Sequence, residues 1–279
     1  NVALLTGDGQ PVPLQTEALA RWPDGSVRWL LLDFQVDVAA NEKKLLTLRH
    51  GPAVSRPLVP NPVRVSTRDR RTTIDTGQLR LELNADGFNP FGAVWTDLNG
   101  DGKIASDERV TGSDGGGLFV RDPSSRCFES DKAPAEIVVE QSGPLRVCVR
   151  VSGRHADARG AMFRYVARLH AFRGQPFVRC SYTFINDHPD ALMTSIKELG
   201  LTARLAPEAG RAGRVVLDGR TTSGGRVFQV DEQRYERDGQ ATGAHAAGWA
   251  AVAGGKGGFA LGLREFWQHW PKAIEARDG

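Results

Sequence analysis

The sequence predicts an all-β protein, with a small N-terminal β-barrel-like domain followed by a large antiparallel β-sandwich. Three observations carry this. Apolar and polar residues alternate with period two over most segments, Gly and Pro turn signals recur at close spacing, and no long amphipathic helical pattern appears. At 279 residues the chain is ample for a substantial core, and 40% apolar with 25% charged residues is ordinary globular composition.

The elements follow in order. QTEALARWPDGSVRWLLLDFQVD reads as two strands joined by a Pro23, Asp24, Gly25 turn, with Val27, Trp29 and Leu31 alternating against Arg28. LLTLRH adds a strand. GPAVSRPLVPNPV, with four prolines from Pro52 to Pro62, is the best linker in the chain, so the boundary is drawn between 1–58 and 59–279. In LRLEL, Leu79, Leu81 and Leu83 face one way, while Arg80 and Glu82 face the other. PLRVCVRVSG and MFRYVARLHAFRG repeat the pattern, with Phe163, Tyr165, Ala167 and Leu169 on one face, and a Gly174, Gln175, Pro176 turn leads into PFVRCSYTF to make a long hairpin. The DHPD that follows, Asp187 to Asp190, reads as a strand-ending turn in preference to a ligand set. RVFQV, GWAAVA and GFALGL are short strands punctuated by glycine pairs, and GGKGG at Gly254 to Gly258 suits a hairpin turn better than an anion cradle.

The densest chemistry lies in DLNGDGKIASDE, Asp97 to Glu108. Asp97, Asn99 and Asp101 stand at positions 1, 3 and 5 of a calcium-type loop, Gly102 at the sharp turn, Lys103 where a backbone carbonyl coordinates, and Glu108 at position 12. Ala105 offers no side-chain oxygen at position 9, so a water serves there. An oxygen-only, three-carboxylate set suits Ca2+ over zinc or copper. A solvated Asx-rich turn is the competing reading. The flanks FNPFGAVWT and RVTGSDGGGLFV are too rich in Pro and Gly for the paired helices of a calcium switch, so the ion is expected to be structural.

Net charge is +3, too small to argue for nucleic acid, and no run of about 18 apolar residues spans a membrane. Arginine outnumbers lysine 29 to 7; guanidinium forks suit carboxylate ligands, and an Arg-rich genome gives the same bias. The three cysteines have no paired or metal spacing. Cys180 is expected to face the core and Cys148 the opposite side from Val147, Val149 and Val151, with a Cys127–Cys148 bridge left open. No nucleophile elbow, zinc helix, phosphate loop or dinucleotide fingerprint is present. The beginning at Asn1 and the end at Gly279 read as those of a piece of something longer.

REFWQHWPK, Arg264 to Lys272, gathers Trp267, Trp270, His269 and two cations. Indole faces stack on sugar rings and cations pair with uronate carboxylates, as an acidic-polysaccharide subsite requires. The alternative is that Phe266, Trp267 and Trp270 bury against a following domain.

PVPLQTEALARWPDGSVRWLLLDF, the loop after AVWTDLNGDG, YVARLHAFRGQPFVRCSYTFIND and GGFALGLREFWQHWPKAIE together resemble the exo-acting rhamnogalacturonan lyase family across essentially the whole chain. The resemblance implies a RIFT-type barrel, a central β-sandwich and, beyond this chain, a C-terminal α/α toroid of the same polypeptide as partner. It further implies β-elimination in an acidic polysaccharide substrate outside the cytoplasm, secreted or periplasmic. In that chemistry Arg264 or Lys272 would neutralise the uronate carboxylate, His269 would take the C5 proton, and Trp267 and Trp270 would bind sugar. A non-catalytic carbohydrate-binding module and a purely structural calcium-stabilised scaffold remain the alternatives.

Overall fold

The computed structural model describes residues 1–112, 116–190, 192–206, 214–254 and 257–277. Among them there is no α-helix, only strands and one 3-10 turn at Ser130–Lys132. The first strands are β1 (Val2–Thr6), β2 (Pro11–Val12), β3 (Leu14–Arg21), β4 (Val27–Phe34) and β5 (Leu46–His50). They form a three-stranded sheet ordered β2-β1-β5 and a β3-β4 ribbon, around a small core of Leu4, Val12 and Leu14. The ribbon turns where Pro23, Asp24 and Gly25 were expected to turn it, with the Asp24 carboxylate accepting from the Ser26 amide at 2.9 Å. The alternation of Val27 and Trp29 does not lead into a core: they are 44% and 62% exposed, because β4 has β3 as its sole ladder partner and the described residues lay nothing over its apolar side.

No strand interrupts the proline-rich stretch before β6 (Arg64–Arg68), β7 (Arg71–Asp75), β8 (Leu79–Asn84) and β9 (Val94–Thr96), which pair in that order as an antiparallel sheet. Against it packs a seven-stranded sheet of β10 (Gly117–Arg121), β11 (Cys127–Glu129), β12 (Glu136–Ser142), β13 (Arg146–Asp157), β14 (Gly160–Phe172), β15 (Val178–Ile185) and β16 (Glu198–Thr202). Its order is β15-β14-β13-β11-β10-β16, with β12 alongside β13. The core between the sheets joins Ile74, Leu79, Leu81 and Leu83 to Val147, Val149, Val151, Tyr165, Ala167, Leu169 and Ala171. Period-two alternation produces this directly, since successive side chains leave a strand on opposite faces.

The outward face of the same hairpin is charged. Arg168 donates to the Glu140 carboxylate at 2.7 and 3.0 Å, Arg150 lies 3.2 Å from it, and these partners, Arg168 first, hold Glu140 below its ordinary range. Cys148 faces this side as predicted, yet is buried between Glu140 and His170. Burial first, then the Glu140 charge, pushes its thiol up to about 11, so it is a neutral packing group. All three cysteines are free, which removes the Cys127–Cys148 bridge, and Cys180 packs on the core.

The N-terminal strands are tied to the sandwich by polar contacts. The buried Gln15 amide accepts from the amides of Leu145 and Arg146 at 3.0 and 2.9 Å and donates to the Arg146 carbonyl at 3.1 Å. Gly143 is required there, because a Cβ would collide with the Gln15 side chain. Arg146 grips Asp33 through two 3.0 Å bonds, a bidentate fork with both partners largely buried.

The last third continues in antiparallel strands. β17 (Arg214–Leu217), β18 (Arg220–Thr222), β19 (Gly225–Gln229), β20 (Tyr235–Arg237), β21 (Gln240–Gly243), β22 (Trp249–Gly254), β23 (Gly257–Gly262) and β24 (Lys272–Ala276) form two further four-stranded sheets, β18-β17-β22-β23 and β21-β20-β19-β24. They enclose a core of their own: Leu217, Val227, Tyr235, Ala246, Phe266 and Ile274. The glycine-rich turn of β22 and β23 closes a hairpin with Gly254 opposite Gly257, its two central residues lying outside the described ones.

His155 is fully buried where a bulge interrupts the β13–β14 register and Phe163 takes a left-handed φ of 55°. Its Nδ1 lies 3.3 Å from the Phe163 carbonyl and its Nε2 2.6 Å from the Tyr182 hydroxyl, a pattern that fits the neutral ring with Nδ1 donating and Nε2 accepting. Burial lowers its pKa to about 4. The unfolded chain therefore binds the extra proton first, so this contribution to stability is complete above the unfolded value near 6.5 and is lost as pH falls through 4, roughly 3 kcal/mol in all. Chemical denaturation from neutral pH down to about 4 should show a shallower loss of stability for His155→Gln than for the parent; equal slopes would refute the assignment.

Candidate functional sites

The DLNGDGKIASDE loop leaves the sandwich from β9 and returns beside it. The Thr96 amide donates to the Glu108 carbonyl at 3.3 Å, and Trp95 bridges to Arg109. Inside, the carboxylates fold the loop upon itself. Asp97 accepts from the amides of Gly100 and Gly102 at 2.7 Å each, Asn99 Oδ1 accepts from the Asp101 amide at 2.8 Å, and Asp101 accepts from the Lys103 amide at 2.8 Å. Glu108 is 5% exposed and accepts from Leu98 at 3.0 Å, Asn99 at 3.2 Å and Ala105 at 2.8 Å. Gly100 and Gly102 take φ of 77° and 79°, which is why the loop needs glycine at both positions. Among the described residues no three His, Cys, Asp or Glu groups converge as a metal cluster. The donor types and their order nonetheless fit a hard divalent cation, because each carboxylate oxygen that accepts one amide keeps a further lone pair. The loop also leans on the C-terminal sheets, where Leu98 occupies the space a Cβ at Gly257 would need, and Phe91 meets Phe259 edge to face at 5.4 Å.

The 264–272 segment is a turn hung from Phe266, which is 2% exposed in the C-terminal core rather than waiting for another domain. Around Glu265 it gathers the three residues expected to act together. Arg264 Nε lies 3.4 Å from Glu265 Oε1 and His269 Nδ1 lies 3.5 Å from Glu265 Oε2, while Lys272 Nζ donates to the Glu265 carbonyl at 3.1 Å. Arg264 and His269 remain largely in solvent, with 80% and 65% of their side chains exposed. The two tryptophans part company. Trp267 stacks on His245 at 3.9 Å, and Trp270, 48% exposed, lines a shallow groove with the turn Asp231–Arg234.

That turn is set by Gln229, a residue the sequence reading passed over. It is fully buried; its Nε2 donates to the carbonyls of Asp231 and Ala244 at 2.7 Å and lies 3.3 Å from that of Arg234, and its Oε1 accepts from the Ala246 amide at 2.9 Å. A signal was present: in RVFQV, Gln229 occupies the same strand face as the buried Val227, and a polar group on an apolar face needs partners.

These features define a class, an all-β protein that joins RIFT-barrel strands to a central β-sandwich. The N-terminal RIFT barrel domain model of the PcRGLX-like proteins matches residues 1–48, and their central beta sandwich domain model matches 63–214 and 238–279. The chain belongs to this family, the exo-rhamnogalacturonan lyase-like proteins. No curated protein matches it.

Replacing Gln229 with Leu removes the side-chain partner of the buried Ala246 amide and of the partly buried Asp231 and Ala244 carbonyls, while the Arg234 carbonyl keeps the Val230 and Asp231 amides; a buried group left unpaired costs about 1–3 kcal/mol. Gln229→Leu should lower the thermal midpoint far more than Gln233→Leu on the exposed turn, measured by calorimetry; equal midpoints would count against the role assigned to Gln229.

Proposed function

We propose that the chain is the N-terminal, two-domain portion of a polysaccharide lyase acting by β-elimination on rhamnogalacturonan-type acidic polysaccharide, completed by a C-terminal domain of the same polypeptide. The observation that carries this is family membership over both domains in the same order. In the reaction the uronate carboxylate is neutralised, the C5 proton leaves to a base, the C4–O4 bond breaks as the C4–C5 double bond forms, and an acid protonates the departing oxygen. Arg264 and Lys272 supply cations for the first task. His269 supplies the base: Glu265 faces its Nδ1 and leaves Nε2 free to take the proton. Trp267 and Trp270 offer indole surface to sugar rings. The acid comes from the C-terminal domain, so this piece by itself is inactive. Export to the periplasm or the outside suits such a substrate; among the described residues no helix is long and apolar enough to cross a membrane.

The openness of Arg264 and His269 favours a second reading, a carbohydrate-binding β-module without chemistry of its own. Rhamnogalacturonan incubated with the complete polypeptide decides between them, followed by the ultraviolet absorbance of the unsaturated uronate. The lyase reading expects product, and a loss of about a hundredfold or more in His269→Ala. Glycan binding without product would establish the module instead.

Calcium is proposed for the Asp97–Glu108 loop, held by Asp97, Asn99, Asp101, the Lys103 carbonyl and Glu108. Bound there, the ion neutralises the carboxylates that close the loop and stiffens the seam against β23. Chelation should lower the melting temperature, and added calcium should restore it by mass action on the folded state. Asp97→Asn should abolish that response, and a midpoint indifferent to chelator in the parent protein would exclude the site.

A further inference from the structure

The junction between the first strands and the sandwich contains an imidazole that the proposed reaction does not use. His170 is half-buried on the outward face of the seven-stranded sheet, opposite Cys148 of β13 on one side and Arg179 of β15 on the other. Its Nδ1 lies 3.2 Å from one guanidinium nitrogen of Arg146, whose other two nitrogens fork onto Asp33 of β4 at 3.0 Å each. A guanidinium only donates, so Nδ1 accepts, and the ring is neutral with its proton on Nε2. That proton is left for Cys148 Sγ at 3.8 Å, and the Cys148 thiol in turn donates to the Glu140 carboxylate at 3.6 Å. A single direction of donation therefore runs from Arg146 through His170 and Cys148 to Glu140.

We propose that His170 is an acid-sensitive latch: its neutral ring holds Arg146 on Asp33, and protonation of Nδ1 releases the N-terminal strands from the sandwich. The added proton removes the acceptor and sets a cation against the guanidinium it held. The charges on every neighbouring strand make that state costly. Arg146 on β13, Arg168 on β14 and Arg179 on β15 repel it, whereas Glu140 on β12 attracts it but is already forked by Arg168 and contacted by Arg150. Asp33 on β4 is engaged by Arg146. Burial first, then Arg146 and Arg179, hold the His170 pKa below its ordinary value. Parting the strands frees Arg146 to swing away and wets the ring, which moves that pKa back toward 6.5. The latch is therefore complete above about 6.5 and is lost as pH falls through the lower docked value. The remaining tie, from Gln15 to the amides of Leu145 and Arg146, involves no titrating group. The inference stands apart from the catalytic reading.

The test measures hydrogen exchange of the Leu145 and Arg146 amides in this chain from about pH 7.5 to 5.5, a window above the ordinary carboxylate range. Both amides donate to Gln15 across the junction and lose that acceptor when the strands part. Their protection should lie below that of the Val149 and Leu169 amides in the central ladder, which marks opening of the junction without unfolding of the sandwich. Corrected for intrinsic exchange, it should fall by about threefold to tenfold across the window, the upper figure being the protonation ratio of a free imidazole one pH unit below 6.5. His170→Asn keeps an acceptor where Nδ1 stood and removes the titration, so its profile should be flat. Nitrogen-15 NMR should show the Nε2–H tautomer of His170 at neutral pH and a titration midpoint below 6.5. The tautomer and the parent profile decide even where the variant folds poorly. An Nδ1–H tautomer, a midpoint at or above 6.5, protection of Leu145 and Arg146 that is independent of pH or equal to that of Val149 and Leu169, or an equally steep fall in His170→Asn overturns the latch.

Discussion

The pleat of the β13–β14 hairpin is the constraint on which the rest of the sandwich depends. The two strands pair from Arg146 opposite Phe172 to Asp157 opposite Gly160, and every inward residue from Val147 to Val151 and from Tyr165 to Ala171 is at most 1% exposed. A slip of one residue would send that whole set to solvent and bring Arg146, Arg150 and Arg168 into the core, so register is fixed by the transfer cost of both faces at once. The bulge at His155 and the glycine opposite Tyr165 are local adjustments to the same ladder. A Cβ at Gly153 would fall 2.6 Å from the Tyr165 hydroxyl, so glycine lets the ring lie across its neighbour.

From this hairpin the other parts take their positions. Its N-terminal end supplies Arg146 and the backbone that Gln15 and Asp33 hold, so the first strands attach through hydrogen bonds and a buried ion pair rather than through a shared apolar core. Such a junction is directional and specific more than strongly stabilising, because desolvating the ions offsets much of their attraction. The C-terminal sheets attach differently, by apolar contacts beside the Asp97–Glu108 loop. That loop, closed by its own carboxylates, lies against β23 through Leu98.

Two turns on those C-terminal sheets are built by opposite means. The 264–272 turn hangs from one buried phenylalanine and displays Arg264 and His269 to water, while Lys272 is held by the Glu265 carbonyl. The Asp231–Arg234 turn is drawn inward by a buried amide that satisfies backbone groups on two segments.

Much was legible in the sequence because period-two alternation is a local property. It identified the Leu79–Leu83 and Phe163–Leu169 faces, the hairpin turns at Asp24–Gly25 and Gly174–Gln175, and the strand-dominated character of the described residues, and the order of oxygen donors from Asp97 to Glu108 was visible as a string. The family resemblance lay in the arrangement of such strings. What the sequence could not determine was which apolar faces find a partner: Trp29 and Phe266 look alike as letters, yet one is exposed and the other sealed, because burial depends on surfaces brought together from distant parts of the chain. The separate C-terminal core, the Gln229 scaffold and the pairing of Trp270 with Asp231–Arg234 were decided by tertiary structure alone, since each joins segments whose proximity no spacing along the chain records.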